Sequence, residues 1–183
     1  TPTMLNDLSA ETSKYFMKAP PANILEFAMS DRVILVEGPS EYMLFEKFYE
    51  TVTNHKPETD GVNIIDVRGL SFKRYLELSK LIGEKTAVVT DNDHDYKRHC
   101  VDKYSDYAQT NNIKIFFSQD NKQNTFEVVL YNNNRNLCNE LFGNAALEYM
   151  LKNKTESAYQ LLLSEKEIIV PEYIRRAIEW IKE

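Results

Sequence analysis

Acidic side chains stand directly after two short apolar runs of the sequence. Glu37 follows the run Val33–Val36, and Asp91 and Asp93 follow the run at 86–90. Continuous β-branched runs are typical of buried parallel strands, and ligand-binding groups in open α/β sheets collect at the carboxyl ends of such strands. Carboxylates crowded at one edge repel one another unless a hard divalent cation binds their oxygens. The sequence therefore predicts a magnesium-type site at this edge.

Alternating strand-like and helix-like periodicities predict the elements that position these acids. Apolar runs predict four strands, at 32–36, 62–67, 86–90 and 113–117. Helical spacing of apolar residues follows the first two strands, and a polar, tyrosine-bearing segment near 96–110 is predicted to be helical. This β-α-β-α-β-α-β order predicts an α/β fold with a mostly parallel four-stranded sheet flanked by helices. Beyond residue 124 the periodicity is helical only, and it predicts additional C-terminal helices at 125–132, 136–152, 155–163 and after Pro171.

Composition narrows the class of protein. The 183 residues are 43% hydrophobic and 27% charged, which is typical of a globular domain. Cys100 and Cys138 lack metal-ligand spacing and are expected to be reduced thiols. No run reaches about 18 apolar residues and no signal pattern opens the sequence, so we expect a cytoplasmic protein without membrane contact. The net charge of −6 has the wrong sign for a general electrostatic grip on nucleic acid, although clustered acids at a metal site supply part of it.

Short motifs distributed along the chain carry a family resemblance. They are Val33–Glu41, the turn Asp66–Gly69 and Val88–Asp93, followed by Thr125–Glu127, Lys154–Ala158 and Val170–Ile174. Together they resemble the Toprim domain of nucleases of the overcoming lysogenization defect (OLD) family, which includes the nuclease subunit of Gabija-type defence systems. The resemblance runs from about residue 20 to the end of the chain.

The resemblance implies a Toprim (Rossmann-like) fold and a metal-dependent DNA endonuclease that uses two Mg²⁺ or Mn²⁺ ions. By analogy to the family, one ion would be held by Glu37, Glu41, Asp91 and Asp93. The second would be held by Asp91, as a bridging ligand, with Thr125 and Glu127. Lys154 would stabilise charge on the phosphate or the leaving group. Two ions about 3.5–4 Å apart can activate the attacking water and stabilise the leaving oxygen.

The resemblance also implies a larger molecular context. The sequence has no Gly-x-x-x-x-Gly-Lys-Ser/Thr loop, whereas OLD-family nucleases carry an ATPase domain upstream of the Toprim domain. We therefore expect residues 1–24 to be an N-terminal connecting segment and residues 25–183 to be the nuclease domain with its helical part. Expected partners are DNA, the upstream ATPase domain, a second copy of the chain or a higher oligomer, and a helicase. The expected role is anti-phage defence or DNA processing.

Several site residues have a structural alternative. Glu41 could be an acid favoured by the dipole at a helix N-terminus, and Thr125 could be a helix N-cap with Glu127 in the first turn. Lys154 could be a surface lysine like Lys152. Four basic residues could contact DNA phosphates or simply belong to exposed helix faces: Lys73, Arg74, Lys97 and Arg98.

Other functions also fit an acidic strand end. Asp91-Asn92-Asp93 could belong to a phosphatase or phosphotransferase with an aspartyl nucleophile, which would not need Glu37. It could equally form the magnesium pocket of a receiver-like binding module without catalytic activity. A degenerate Toprim domain that only holds partners together is a third alternative.

Overall fold

A four-stranded parallel sheet forms the centre of the protein. The computed structural model describes residues 5–18, 21–68 and 72–183. The strands are β1 (Arg32–Val36), β2 (Val62–Asp66), β3 (Lys85–Val89) and β4 (Ile113–Phe116), and their order across the sheet is β2-β1-β3-β4. Every neighbouring pair is parallel, which confirms the predicted sheet and each of its strands.

The register between the two central strands, β1 and β3, brings the candidate site residues together. In β1 the residues from Val33 to Val36 are fully buried, and β3 is nearly as deeply buried, as expected for strands covered on both faces. Leu35 pairs with Val88 across the β1–β3 ladder. Because these strands end side by side, the residues that follow them meet at one edge of the sheet.

Helices cover both faces of the sheet and confirm the predicted architecture. The described helices are α1 (Ala10–Lys18), α2 (Pro21–Ala28), α3 (Pro39–Thr53), α4 (Phe72–Ile82), α5 (Phe126–Asn133), α6 (Arg135–Phe142), α7 (Ala146–Lys152), α8 (Lys154–Leu163) and α9 (Glu172–Lys182). One core lies between the sheet and the helices α3 and α5–α9. A second core lies between the opposite face and the helices α1, α2 and α4. The predicted C-terminal helices therefore pack around the sheet.

Two helical segments differ from the periodicity-based prediction. The segment near 96–110 contains a π-helix, Lys97–Asp102, and a 3₁₀ turn, Ser105–Tyr107, instead of one α-helix. The predicted helix at 136–152 is divided into α6 and α7 at Gly143, whose φ of 80° lies in the left-handed region that favours glycine. Periodicity alone does not register such a local break, because the apolar positions continue on both sides of it.

The N-terminal residues contain regular structure of their own. Helix α1 lies against α4, where Arg74 forms an ion pair of 2.8 Å with Glu11. The Glu77 carboxylate accepts hydrogen bonds from Ser9 and Thr12. The Arg74 side chain is thus engaged within the domain. Gly69, which closes one of the family-like motifs, lies outside the described residues.

Two further sequence-based expectations concern the thiols and the membrane. Cys100 and Cys138 are free and buried. Within the described ranges, no helix combines the length and the apolar character needed to cross a membrane.

Glu84 sits in the turn before β3 and provides a stability prediction. Its side chain is buried, neither carboxylate oxygen has a hydrogen-bond partner, and burial, aided by the charge of Asp31, raises its pKa from 4.5 to about 8. Between those values the folded protein keeps a proton that the unfolded chain releases. The carboxyl group therefore costs stability increasingly as the pH rises, by about 1.4 kcal/mol per pH unit.

We expect Glu84→Gln to be progressively more stable than the wild type between pH 5 and pH 8. Urea unfolding at several pH values measures this difference, which stops growing above pH 8 because both states are then ionised. Glu167→Gln, which changes an exposed glutamate, is the matched control and should show no such trend. A constant difference between Glu84→Gln and the wild type would contradict the prediction.

Candidate metal centre

Glu37 joins the ends of the two central strands. It follows β1 directly, and its Oε2 atom accepts a hydrogen bond of 3.1 Å from the backbone N–H of Asp91. The same oxygen accepts a bond of 3.1 Å from the Thr90 hydroxyl. These contacts place a half-buried carboxylate against the start of the loop after β3, as the strand-end pattern predicts.

Glu41 lies one helical turn beyond Glu37 and faces the same edge. Helix α3 begins at Pro39 after Gly38, so Glu41 falls in its first turn, yet its side chain is only 8% exposed. Burial raises the pKa of Glu41 to about 7, and the charges of Glu127 and Glu37 contribute to the rise. A solvated helix-terminal acid would not show this burial, so the surroundings favour a role in the acidic site.

Asp91 is the most strongly perturbed acid of the group. Burial raises its pKa to about 9, and the increase is reinforced by three neighbouring carboxylates: Glu37, Glu41 and Glu127. Its backbone carbonyl accepts a hydrogen bond of 3.3 Å from the Cys100 thiol, which belongs to the π-helix. Like charges in a partly buried site disfavour ionisation unless a cation balances them.

Asn92 fixes the loop that carries Asp91 and Asp93. Its amide is 1% exposed and donates to the backbone carbonyls of Ser118, Asp120 and Gln123 at 2.8, 3.0 and 3.2 Å. Its carbonyl oxygen accepts from the N–H of His94 at 3.0 Å. Asn92 therefore ties the loop after β3 to the loop after β4, a role that the sequence reasoning missed.

We expect Asn92→Ala to destabilise the protein by roughly 2–4 kcal/mol, because the carbonyls that bond to its amide lose their donor. Urea unfolding measures the loss, and the exposed Asn136→Ala is a control for the loss of an asparagine side chain. Equal stability of the two variants would contradict the structural role of Asn92.

Asp93 stands apart from the other acids. Its side chain is exposed, its φ is 47°, and its N–H donates to the Asn124 carbonyl at 3.2 Å. The charge of Asp93 contributes to the raised pKa values of Cys100 and Tyr104. It is not among the main causes of the raised pKa values of Asp91 and Glu41. Its proposed role as a ligand stays a prediction.

Helices α5 and α8 supply the other half of the site. Thr125 occupies the N-cap position of α5, but its side chain makes no capping bond and its buried hydroxyl has no hydrogen-bond partner. The Glu127 side chain is 4% exposed and forms an ion pair of 2.9 Å with Lys154, the first residue of α8. Although burial acts to lower it, the pKa of Lys154 is raised by the hydrogen bond and charge of Glu127.

Tyr173 is a second residue that sequence reasoning did not assign to the site. It lies in the first turn of α9, and burial raises its pKa well above the usual value. The charges that act on it are those of the acidic site: Asp91, Glu41, Glu127 and Glu37. The sequence feature that could have identified Tyr173 as a site residue is its place in the family-like motif Val170–Ile174.

The structure thus assembles most of the predicted residues at the carboxyl edge of β1 and β3. The mutually interacting set comprises Glu37, Glu41, Asp91, Glu127 and Lys154. Across the described part of the chain, no three His, Cys, Asp or Glu side chains are arranged closely enough to hold a metal ion between them. The chemistry of the donor set nevertheless fits a hard cation, because it consists of carboxylates and one unpartnered hydroxyl, that of Thr125.

The four-stranded parallel sheet with helices on both faces is an α/β domain with the Toprim fold. Residues 29–93 match the family model described as overcoming lysogenization defect protein-like, TOPRIM domain. These residues are therefore similar to an OLD-like TOPRIM domain. Domains of this class generally bind divalent metals and process nucleic acids.

Solved structures of OLD proteins share the fold. The C-terminal region of the Burkholderia pseudomallei OLD protein matches with a TM-score of 0.65 and 17% sequence identity, covering 84% of this chain and 98% of that one. The C-terminal region of the Xanthomonas campestris pv. campestris OLD protein matches with a TM-score of 0.60 and 21% identity, covering 86% and 94%. No curated protein sequence matches the chain.

Proposed function

We propose that this protein is a metal-dependent DNA endonuclease, the catalytic domain of an OLD-type ATPase-nuclease. The observation that carries the proposal is the set of interacting carboxylates around Asp91, with Lys154 beside them, at the carboxyl edge of the sheet. Acids whose pKa values rise together need a compensating positive charge to ionise. Divalent cations supply that charge, and phosphodiester hydrolysis is the reaction that such ions support in this class of domain.

Two ions would share the donor set. Glu37, Glu41, Asp91 and Asp93 would hold the first ion. Asp91, Thr125 and Glu127 would hold the second, which gives a ligand role to the unpartnered hydroxyl of Thr125. Bound Mg²⁺ or Mn²⁺ supplies Lewis acidity toward the phosphate oxygens and lowers the pKa of water. Since the acids do not form a ready-made cage, we expect their side chains to reorient on binding.

The chain itself contributes position and charge. Glu37 accepts the N–H of Asp91, which keeps the ends of β1 and β3 together under the acids. Asn92 holds the loops on either side of the site in one arrangement. Lys154 presents a half-exposed ammonium group beside Glu127, where it can stabilise negative charge that develops on the phosphate or the leaving oxygen.

The wider context follows the family. We propose DNA as the substrate, an ATPase domain upstream that controls cleavage, and assembly as a homodimer or higher oligomer. A helicase partner, as in Gabija-type systems, and a cytoplasmic role in anti-phage defence or DNA processing complete the proposal. Basic surfaces of such partners would offset the net charge of −6 when DNA binds.

Incubation with plasmid DNA and, separately, with p-nitrophenyl phosphate tests the proposed activity. With Mg²⁺ or Mn²⁺ we expect nicking of the plasmid, no hydrolysis of the small phosphate, and loss of nicking on addition of chelator. Hydrolysis of p-nitrophenyl phosphate with intact plasmid would favour the aspartyl phosphatase. If the full-length protein, with its ATPase domain, also leaves both substrates intact with either metal, a non-catalytic binding domain is favoured.

A further inference from the structure

A polar cavity opens next to the acidic site, between the end of β4 and the helices α5 and α9. Its volume is about 330 Å³. The residues that define its chemistry are Phe117, Gln119, Gln123, Asn133, Tyr173 and Arg176. This volume lies at the lower end of the range for ligand pockets, about 300–1,000 Å³. It is large enough for one small unit of a substrate and too small for a stacked base pair.

The cavity and the acidic site share walls. Tyr173 lines the cavity and also interacts with the charges of Asp91 and Glu127. On helix α5, residues four positions apart lie on one face, so Thr125 and the cavity-lining Val129 and Asn133 form a continuous row. Tyr173 and this row of α5 residues therefore place the cavity beside the acidic site.

Arg176 supplies an uncommitted positive charge to the cavity. Its side chain is exposed and takes part in none of the ion pairs or hydrogen bonds found among the described residues. The neighbouring acid on the same wall, Glu172, already has a partner, because its Oε2 lies 3.7 Å from Nε of Arg175. A guanidinium group in this state is suited to a phosphate group.

The remaining walls suit a nucleobase. The Asn133 amide donates to the Val129 carbonyl at 2.8 Å, which leaves its side-chain oxygen for an external donor. Gln119 is exposed and makes no side-chain hydrogen bond within the described ranges. Phe117 is half-buried and stacks on Tyr96 with a centroid distance of 5.9 Å and an interplanar angle of 21°. Amide groups and a fixed aromatic ring are the groups that bind unpaired bases.

We propose that this cavity binds one unpaired nucleotide of the DNA strand, with its phosphate on Arg176 and its base beside Phe117. This inference rests on the proposed nuclease function and adds the form of the substrate that enters the site. Because the cavity does not admit a base pair, the nucleotide must leave the stack or belong to a single-stranded region. Frayed, gapped or single-stranded DNA is therefore preferred over intact duplex.

Oligonucleotide binding in chelator tests the cavity without requiring cleavage. We measure fluorescence anisotropy of a labelled single-stranded DNA oligonucleotide at low salt, and of the same sequence as a duplex. We expect Arg176→Gln to weaken single-strand binding by roughly fivefold and to reduce the salt slope by about 0.7, the contribution of one phosphate contact. Lys80→Gln is the control, since it removes one positive charge from an exposed position of α4, a helix that packs on the opposite face of the sheet.

A base analogue reports on the interior of the cavity. With 2-aminopurine in the single strand, entry into the cavity removes the base from its stacked neighbours, so its fluorescence should rise on binding. Phe117→Leu should reduce this rise and should still unfold in urea as a single transition. Equal effects of Arg176→Gln and Lys80→Gln, equal binding of duplex and single strand, or unchanged 2-aminopurine fluorescence would each overturn the inference. Arg176-dependent binding, together with intact plasmid after incubation with the full-length protein, would instead refute the nuclease proposal and leave the nucleotide site standing.

Discussion

We expect Asp91→Asn to abolish metal-dependent nicking, with a rate that falls on the order of 10³-fold or more. Asp91 is the predicted ligand common to both ions, so its loss removes several kcal/mol of charge stabilisation from the transition state. Asparagine has nearly the same shape, so the local fold should persist. The variant should also be at least as stable as the wild type, because it removes a half-buried carboxylate crowded by Glu37, Glu41 and Glu127.

Nicking of plasmid under Mg²⁺ and Mn²⁺, together with thermal unfolding, distinguishes this effect from misfolding. The matched control is Asp106→Asn, which changes an exposed aspartate in the 3₁₀ turn Ser105–Tyr107. We expect the control to nick at the wild-type rate. Retained nicking by Asp91→Asn would remove the residue from the reaction, whereas a large drop in its thermal stability would indicate a structural role.

Lys154→Gln should lower the nicking rate by about 10²–10³-fold, the effect typical of losing one preorganised charge-stabilising group. The adjacent helix provides the control, because Lys152 is also exposed and pairs with a glutamate, Glu148 at 2.6 Å, which is not one of the site acids. Lys152→Gln should nick normally. The two substitutions change the net charge equally, so a difference between them reports on position.

Metal affinity separates a catalytic role of Lys154 from a structural one. The ion pair holds Glu127, and its loss leaves that buried carboxylate free to bind a cation. We therefore expect Lys154→Gln to bind Mn²⁺ at least as tightly as the wild type, by isothermal titration calorimetry, while it cleaves slowly. Weaker Mn²⁺ binding that accounts for the slower nicking would mean that Lys154 acts only by positioning Glu127.

Much of the fold could be predicted because strands that are buried on both faces have continuous apolar runs in the sequence. The runs that form β1 and β3 are continuous and β-branched, and the strands lie within a residue or two of the predicted limits. The π-helix Lys97–Asp102 was not foreseen, because its polar composition resembles that of an exposed α-helix. The gap between α6 and α7 depends on a single backbone conformation at Gly143.

One half of the candidate site could be predicted from the strand ends, and the other half only from the family resemblance. Strand ends placed Glu37 and Asp91 beside each other, and the hydrogen bond between them confirms that proximity. Thr125 and Lys154 came from motif resemblance alone, since helix packing brings them to the sheet and no local spacing reports it. Asn92 was missed because a buried amide has many ordinary explanations in a sequence.

The segments that build the site are far apart in the chain, and this has a consequence during biosynthesis. The acids after β1 and β3 leave the ribosome well before Lys154, whose helix α8 packs against α3. Domains generally fold as units, and one face of β1 and β3 is covered by α3 and α5–α9, so the sheet is not fully buried until the C-terminal helices have been synthesised. We therefore expect the acids and Lys154 to come together in one cooperative step, after the last helix has left the ribosome.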